Sequence, residues 1–177
     1  MFRAPRISDQ APVIIKFVDS STVDAVIATG LLDWEYELTK SLTLDGILHA
    51  HELIRCTAGS ALVLEDQGGE PLFSVVDPQQ LDVESALEIT HDLTSIVDQL
   101  HRHGIVHKAI RPDHIYANPE SRELVLTGFE SASRIPDDSA HVDQCNLPAE
   151  LLAYMAPEQT GRMNRRVGLQ SDLYSLG

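Results

Sequence analysis

The chain has 177 residues, of which 43% are hydrophobic and 23% charged, the make-up of a globular sequence long enough to bury one core. Its formal charge of −14 at pH 7 argues against binding to nucleic acid or to an anionic membrane, because both are gripped by Lys and Arg neutralising phosphate. The two cysteines, Cys56 and Cys145, stand in unrelated contexts without CxxC spacing, so neither a disulfide framework nor a zinc site is indicated. No apolar run reaches the roughly 18 residues of a membrane helix and no basic-then-apolar leader opens the chain, which places it in the cytoplasm.

In chain order, Met1–Ala4 and Val13–Val18 read as two strands around the polar turn Ser8–Pro12. From Asp24 to Leu42 the helical period dominates, with Leu31, Leu32, Tyr36 and Leu38 expected on one face. Gly46–Leu48 and Ala61–Leu64 read as the next strands, with Thr57–Ser60 turning into the second of them from Glu52–Arg55. The run Glu65-Asp66-Gln67-Gly68-Gly69 reads as a hinge, since glycine lets the backbone turn sharply and approach a ligand closely. Asp82–His103 carries apolar residues at Val83, Ala86, Leu87, Ile89, Leu93, Ile96, Val97 and Leu100 with no Pro or Gly inside, the pattern of a long amphipathic helix stopped by Gly104. His101, His103 and His107 straddle that helix end without the spacing of a metal-binding helix, so solvated or hydrogen-bonded histidines are expected and a metal is not. Ile115–Asn118 reads as a short strand and turn, and Leu124–Thr127 as a strand pairing back to it. Ser131–Pro148, rich in Asp, Ser and Pro, reads as a mobile loop.

Several stretches carry a family pattern in order. Val13-Ile14-Ile15-Lys16 is similar to the V-A-I-K strand of protein kinases, Glu35-Tyr36-Glu37-Leu38 to their following helix, and His107-Lys108-Ala109-Ile110-Arg111-Pro112-Asp113-His114 to the catalytic loop H-R-D-x-x-x-x-N. Gly128-Phe129-Glu130 stands where a kinase has D-F-G, Ala156-Pro157-Glu158 matches A-P-E, and Ser171–Gly177 resembles the start of the next helix, whose Asp172 braces the loop. Together these resemble the protein kinase superfamily. The run from Ala153 to Arg165 further resembles the serine/threonine kinase-like module that opens large bacterial multidomain sensors, ahead of an ATPase, a GAF domain and a histidine kinase.

The resemblance implies an α+β, two-lobed kinase-like fold, incomplete at both ends. Residues 1–66 would form an N-lobe with a small antiparallel sheet and one helix, and residues 67–177 a partial, mostly helical C-lobe. It assigns nucleotide contacts to Lys16, paired with Glu35 rather than Glu37, and adenine contacts to the hinge at Glu65 and Asp66. It also locates the losses: the base position is Ala109, and the two magnesium-ligand positions are His114 and Gly128. A positioned general base contributes roughly 10²–10⁴ in rate and alanine has none to give, while imidazole is a poor partner for magnesium, which takes hard oxygen ligands. Asp113 and Glu130 lie beside the vacated positions, but a one-residue shift on a strand turns a side chain to the opposite face.

The expectation is a kinase-like signalling domain without catalysis, binding ATP weakly if at all, with magnesium not required. An active serine/threonine kinase and a decayed fragment are the alternatives. Its partners would be signalling proteins or companion ATPase and histidine kinase modules.

Overall fold

The computed structural model describes residues 1–77, 79, 81–135, 152–161, 163 and 165–177. It begins with a hairpin, β1 (Phe2–Pro5) against β2 (Pro12–Asp19). Gln10 takes a positive φ of 60° in the connecting turn, and Asp9 ties the turn by accepting from the Ala11 amide and from Arg6. β2 also pairs with β4 (Gly59–Glu65), which in turn pairs with β3 (Ala50–Cys56), giving an antiparallel sheet in the order β1-β2-β4-β3. β4 is central, so its Ala-Leu-Val-Leu run is apolar on both faces rather than alternating. Gly59 opens it where a Cβ would fall 2.0 Å from the Val18 carbonyl oxygen, which is why no larger residue fits.

Helix α1 (Ala25–Thr39) buries Leu32, Glu35, Leu38 and Thr39: Leu32 packs on the sheet with Ile14, Leu62 and Leu64, while Leu38 joins the core formed by α3 and the segments beyond the sheet. Leu31, expected on that face, is 44% exposed, and Val23, Val26 and Ile27 before it are more so. Burial in α1 begins only at Leu32, so the helical period alone overstated its buried face. Gly46–Leu48, expected as a strand, is not one. Gly46 has φ +77°, which breaks an extended run, and Ile47 makes only a lone parallel bridge to Leu126. Leu126 donates its amide to Gly46 O and accepts from Leu48, so this segment staples the sheet to the rest of the fold.

Beyond the strand β5 (Glu70–Pro71) and the single-turn helix α2 (Leu72–Val75), α3 (Val83–Arg102) forms as its sequence foretells. Asp82 caps it by accepting from the Ser85 amide at 2.8 Å, and Gly104 follows its end with φ +69°. Leu93, Ile96, Val97 and Leu100 are buried and Ile89 packs against them from the edge, whereas Val83 and Leu87 are 76% and 64% exposed, so α3 enters the core only after its first turns. Leu100 has no exposed surface, and its truncation to Ala should cost about 2–5 kcal/mol. The chain then makes β6 (Ile105–Val106), a 3-10 turn at Pro112–His114, and the antiparallel pair β7 (Ile115–Ala117) and β8 (Leu124–Leu126), β7 also pairing with β5. A 3-10 turn at Phe129–Ser131 leads to β9 (Ser133–Arg134), which pairs with β6. The expected loop Ser131–Pro148 lies outside the described residues from 136 onward, and Cys145 with it. A 3-10 turn at Pro157–Thr160 and helix α4 (Leu169–Leu176) complete an α+β fold with a β-sheet lobe and a largely helical remainder. No helix among the described residues is long and apolar enough to cross a membrane.

Candidate functional site

The loop after β6 is held from beneath by one carboxylate. Asp172, fully buried on α4, accepts from the amides of His107 at 2.8 Å and Lys108 at 2.7 Å, and its Oδ2 lies 2.9 Å from His101 Nε2. Lys108 takes φ +66°, a conformation costly for a side-chain-bearing residue, and these two bonds hold it there. Its carbonyl accepts from Gln159 Nε2 at 2.7 Å, which links the loop to Ala156-Pro157-Glu158, and Glu158 accepts from the Ser171 hydroxyl at 2.7 Å. The His107 ring donates from Nε2 to Thr127 O at 3.0 Å and accepts at Nδ1 from the Ala109 amide at 3.3 Å, so it is neutral. Burial pushes its pKa down to about 4. Phe129 packs edge-on against it, with ring centroids 4.7 Å apart. His103, the third histidine of the group, bonds the Gln99 carbonyl at 2.8 Å.

Above the loop, β2 and α1 bring Lys16 and Glu35 together: Nζ lies 2.5 and 2.8 Å from the two carboxylate oxygens. Glu35 also accepts from the Phe129 amide at 3.2 Å, joining α1 to the Gly-Phe-Glu segment. Trp34, the neighbouring residue, adds a second link by donating from its indole N–H to Ala132 O at 2.7 Å. Glu37 points away and pairs with Lys40 at 2.6 Å. Burial raises the Glu35 pKa against the opposing pull of Lys16. Glu130 reaches the same ammonium, with Oε2 3.4 Å from Lys16 Nζ and Oε1 3.7 Å from His114 Nε2. Although burial works against ionisation there, the nearby Lys16 ammonium lowers the Glu130 pKa.

His114 is inside, not at the surface. Its Nδ1–H donates to Ala109 O at 2.8 Å, which leaves Nε2 to accept from the Arg111 guanidinium at 2.7 Å; the ring is neutral, and burial lowers its pKa, with Arg111 adding to the effect. Arg111 Nε in turn lies 2.8 Å from the Asp113 carboxylate. The imidazole fills the space beside Gly128. A Cβ on Gly128, whose φ is +84°, would fall 2.4 Å from His114 Nδ1 and 2.6 Å from Cγ. Any side chain at 128 and the imidazole at 114 therefore exclude one another.

At the two positions that the family resemblance assigns to magnesium, the side chains present offer no free ligand. Gly128 offers no ligand atom, both nitrogens of His114 are engaged, and the Glu130 carboxylate is turned onto Lys16. Ala109 gives the loop no proton acceptor. Asp113, considered as a substitute, is drawn to Arg111 with its side chain 48% exposed, and does not approach Lys16. At the hinge, the Asp66 carboxylate is occupied by Arg3 at 2.9 Å and by the Gly68 amide at 2.9 Å, and Glu65 donates its amide to His49 O. Arg3 also bonds Glu70 and the Gly69 carbonyl, so it clamps the hinge from β1. A separate polar groove of about 540 Å³, lined by Asp45, His49, Gln67, Asp92, Gln99 and Glu123 among others, shares none of the residues around Lys16.

Sequence reasoning missed the clamp of Arg3, the role of Arg111 as partner of His114, and the turn of Glu130 onto Lys16. The one signal available was the pairing of a bulky residue at 114 with glycine at 128.

The sequence is similar to those of known protein kinases. The chain is 31% identical over 166 residues to a probable serine/threonine-protein kinase, PknB, of Lactococcus lactis, covering 93% of the chain and 26% of that protein. It is 29% identical over 147 residues to a probable myosin light chain kinase of Dictyostelium discoideum, covering 82% and 46%, and 26% identical over its full length to the CBL-interacting serine/threonine-protein kinase 15 of Arabidopsis thaliana, of which it covers 41%. The chain thus spans less than half the length of these relatives. Residues 1–177 match the protein kinase domain, and the chain belongs to the protein kinase family.

Proposed function

We propose that this chain is a kinase-like signalling module that has kept the fold and lost phosphoryl transfer. The observation that carries the reading is the mutual exclusion of His114 and any side chain at 128, next to an alanine at the base position. Base and metal ligands are lost together, and removing the base alone forfeits roughly 10²–10⁴ in rate. What remains is suited to holding partners and to weak nucleotide contact through the hinge backbone and Lys16, at an affinity of about 0.1–1 mM, or roughly 4–5.5 kcal/mol, without a need for magnesium. The partners would be signalling proteins, among them ATPase and histidine kinase modules of the kind found with similar domains in large bacterial sensors.

An active serine/threonine kinase is the second reading, favoured by the names of its relatives. The two separate in a radiolabel transfer assay with ATP, magnesium and a generic protein substrate. No transfer above background is expected. Transfer that disappears in Glu130→Gln would show that Glu130 has taken over a metal or base role and would make the chain an enzyme.

A further inference from the structure

The Lys16 ammonium is already neutralised by the protein. Glu35 holds it at 2.5 and 2.8 Å, and Glu130 adds a second carboxylate at 3.4 Å. The other cation nearby, Arg111, is shared between the Asp113 carboxylate and the lone pair of His114 Nε2. The His114 ring itself contributes no charge, because its Nδ1–H donates to Ala109 O while Nε2 accepts. Lys16 and Arg111 are thus set against three carboxylates, those of Glu35, Glu130 and Asp113. Just before Glu130, Gly128 turns the backbone through φ +84°, and the imidazole of His114 occupies the space a side chain at 128 would fill.

We infer that Glu130 is a resident counter-anion of Lys16 that makes this cleft select uncharged purine ligands, such as nucleosides, over their polyphosphates. The inference rests on the reading that the cleft keeps nucleotide contact. A phosphate chain entering without a metal must either displace the Glu130 carboxylate from Lys16 or sit beside it, and both disfavour it at short range in a partly buried site. An uncharged nucleoside meets neither obstacle, since it brings no phosphate to Lys16. The glutamate thus does from inside the protein what a bound phosphate would do from outside.

The test titrates adenosine and ATP, in the presence of a chelator, into the wild-type chain and into Glu130→Gln and Glu130→Ala, with thermal unfolding to check that each variant is folded. The wild type should bind adenosine at least as tightly as ATP. Both variants should gain about tenfold for ATP and stay within about twofold for adenosine, a change of roughly 1.4 kcal/mol confined to the phosphates. Wild-type preference for ATP by tenfold or more, or an unchanged ratio in both variants, overturns the inference. A second readout does not depend on ligand: the ¹⁵N resonance of the Lys16 ammonium, one of only three lysines in the chain, should move in Glu130→Gln. If it stays put, the contact is absent and this inference alone falls. If it moves while no variant binds either ligand, the nucleotide reading of the cleft falls, and the ligand class assigned here falls with it.

Discussion

The loop after β6 has two halves that sit side by side and differ in kind. His107 and Lys108 form the bracing half: they are buried, their amides are taken up by Asp172 and the Lys108 carbonyl by Gln159, and the His107 ring bonds Thr127 O and packs on Phe129. Residues 109–114 form the half that faces Lys16, where alanine and a neutral imidazole stand in place of an acid and an amide. The bracing half needs particular hydrogen-bonding groups because every buried polar atom there must be paired. The facing half needs only to fill space and balance charge. The hydrogen bonds that hold this loop in shape therefore lie outside the half that faces Lys16.

The comparison breaks most readily at Asp172. Replacing it with Ala strands two buried amides and the His101 ring, and equilibrium unfolding in denaturant should show a loss of about 3–5 kcal/mol. Ala109→Asp, in the facing half, should cost far less. A similar cost at both positions would erase the distinction between the halves.

His107 sharpens the comparison through pH. Unfolded, its ring takes a proton near pH 6.5; folded, only near about 4. Between those values the unfolded chain holds more protons, so this group's contribution is complete above pH 6.5 and is lost as the pH falls towards 4, a change of about 3 kcal/mol. Glu35, displaced upward, acts in the opposite sense and favours the folded state as pH falls through the range above its ordinary value. The difference in stability between wild type and His107→Gln, followed from pH 7 to 4, removes the Glu35 contribution and should shrink steadily. A constant difference would mean that His107 is not buried as a neutral ring.

The smallest of these effects concerns the facing half alone. Gly128→Ala should destabilise the wild type by more than it destabilises His114→Ala, because the added methyl meets the imidazole in one background and space in the other. The coupling from the four unfolding free energies should be about 1–3 kcal/mol. Additive effects would show that the two positions are independent.

What could be read from the residues followed the strength of local signals. The second half of α3, the hairpin of β1 and β2, and the pairing of β7 with β8 announce themselves through period, turn chemistry and β-branched content. The choice of Glu35 over Glu37 came from family pattern, since two acids on one helix cannot be ranked by period alone. Leu31, Val83 and Leu87 were misjudged because an apolar residue on the right face is buried only if another element reaches that turn. Gly46–Leu48 was misjudged because two apolar residues after a glycine fit a bridge as well as a strand. The site eluded the sequence for a further reason. Glu130 meets Lys16 and His114 from three separate stretches of the chain, and no linear pattern contains that meeting.

The bond from the Trp34 indole to the Ala132 carbonyl has a practical side. Trp34 is the sole tryptophan of the chain, it is only partly exposed, and it sits next to the glutamate that grips Lys16. The protein thereby carries an intrinsic fluorophore at the seam between α1 and the segment after Gly128-Phe129-Glu130. Its emission will shift to the red whenever the helix lifts from that segment, so the seating of α1 can be watched in solution without any label.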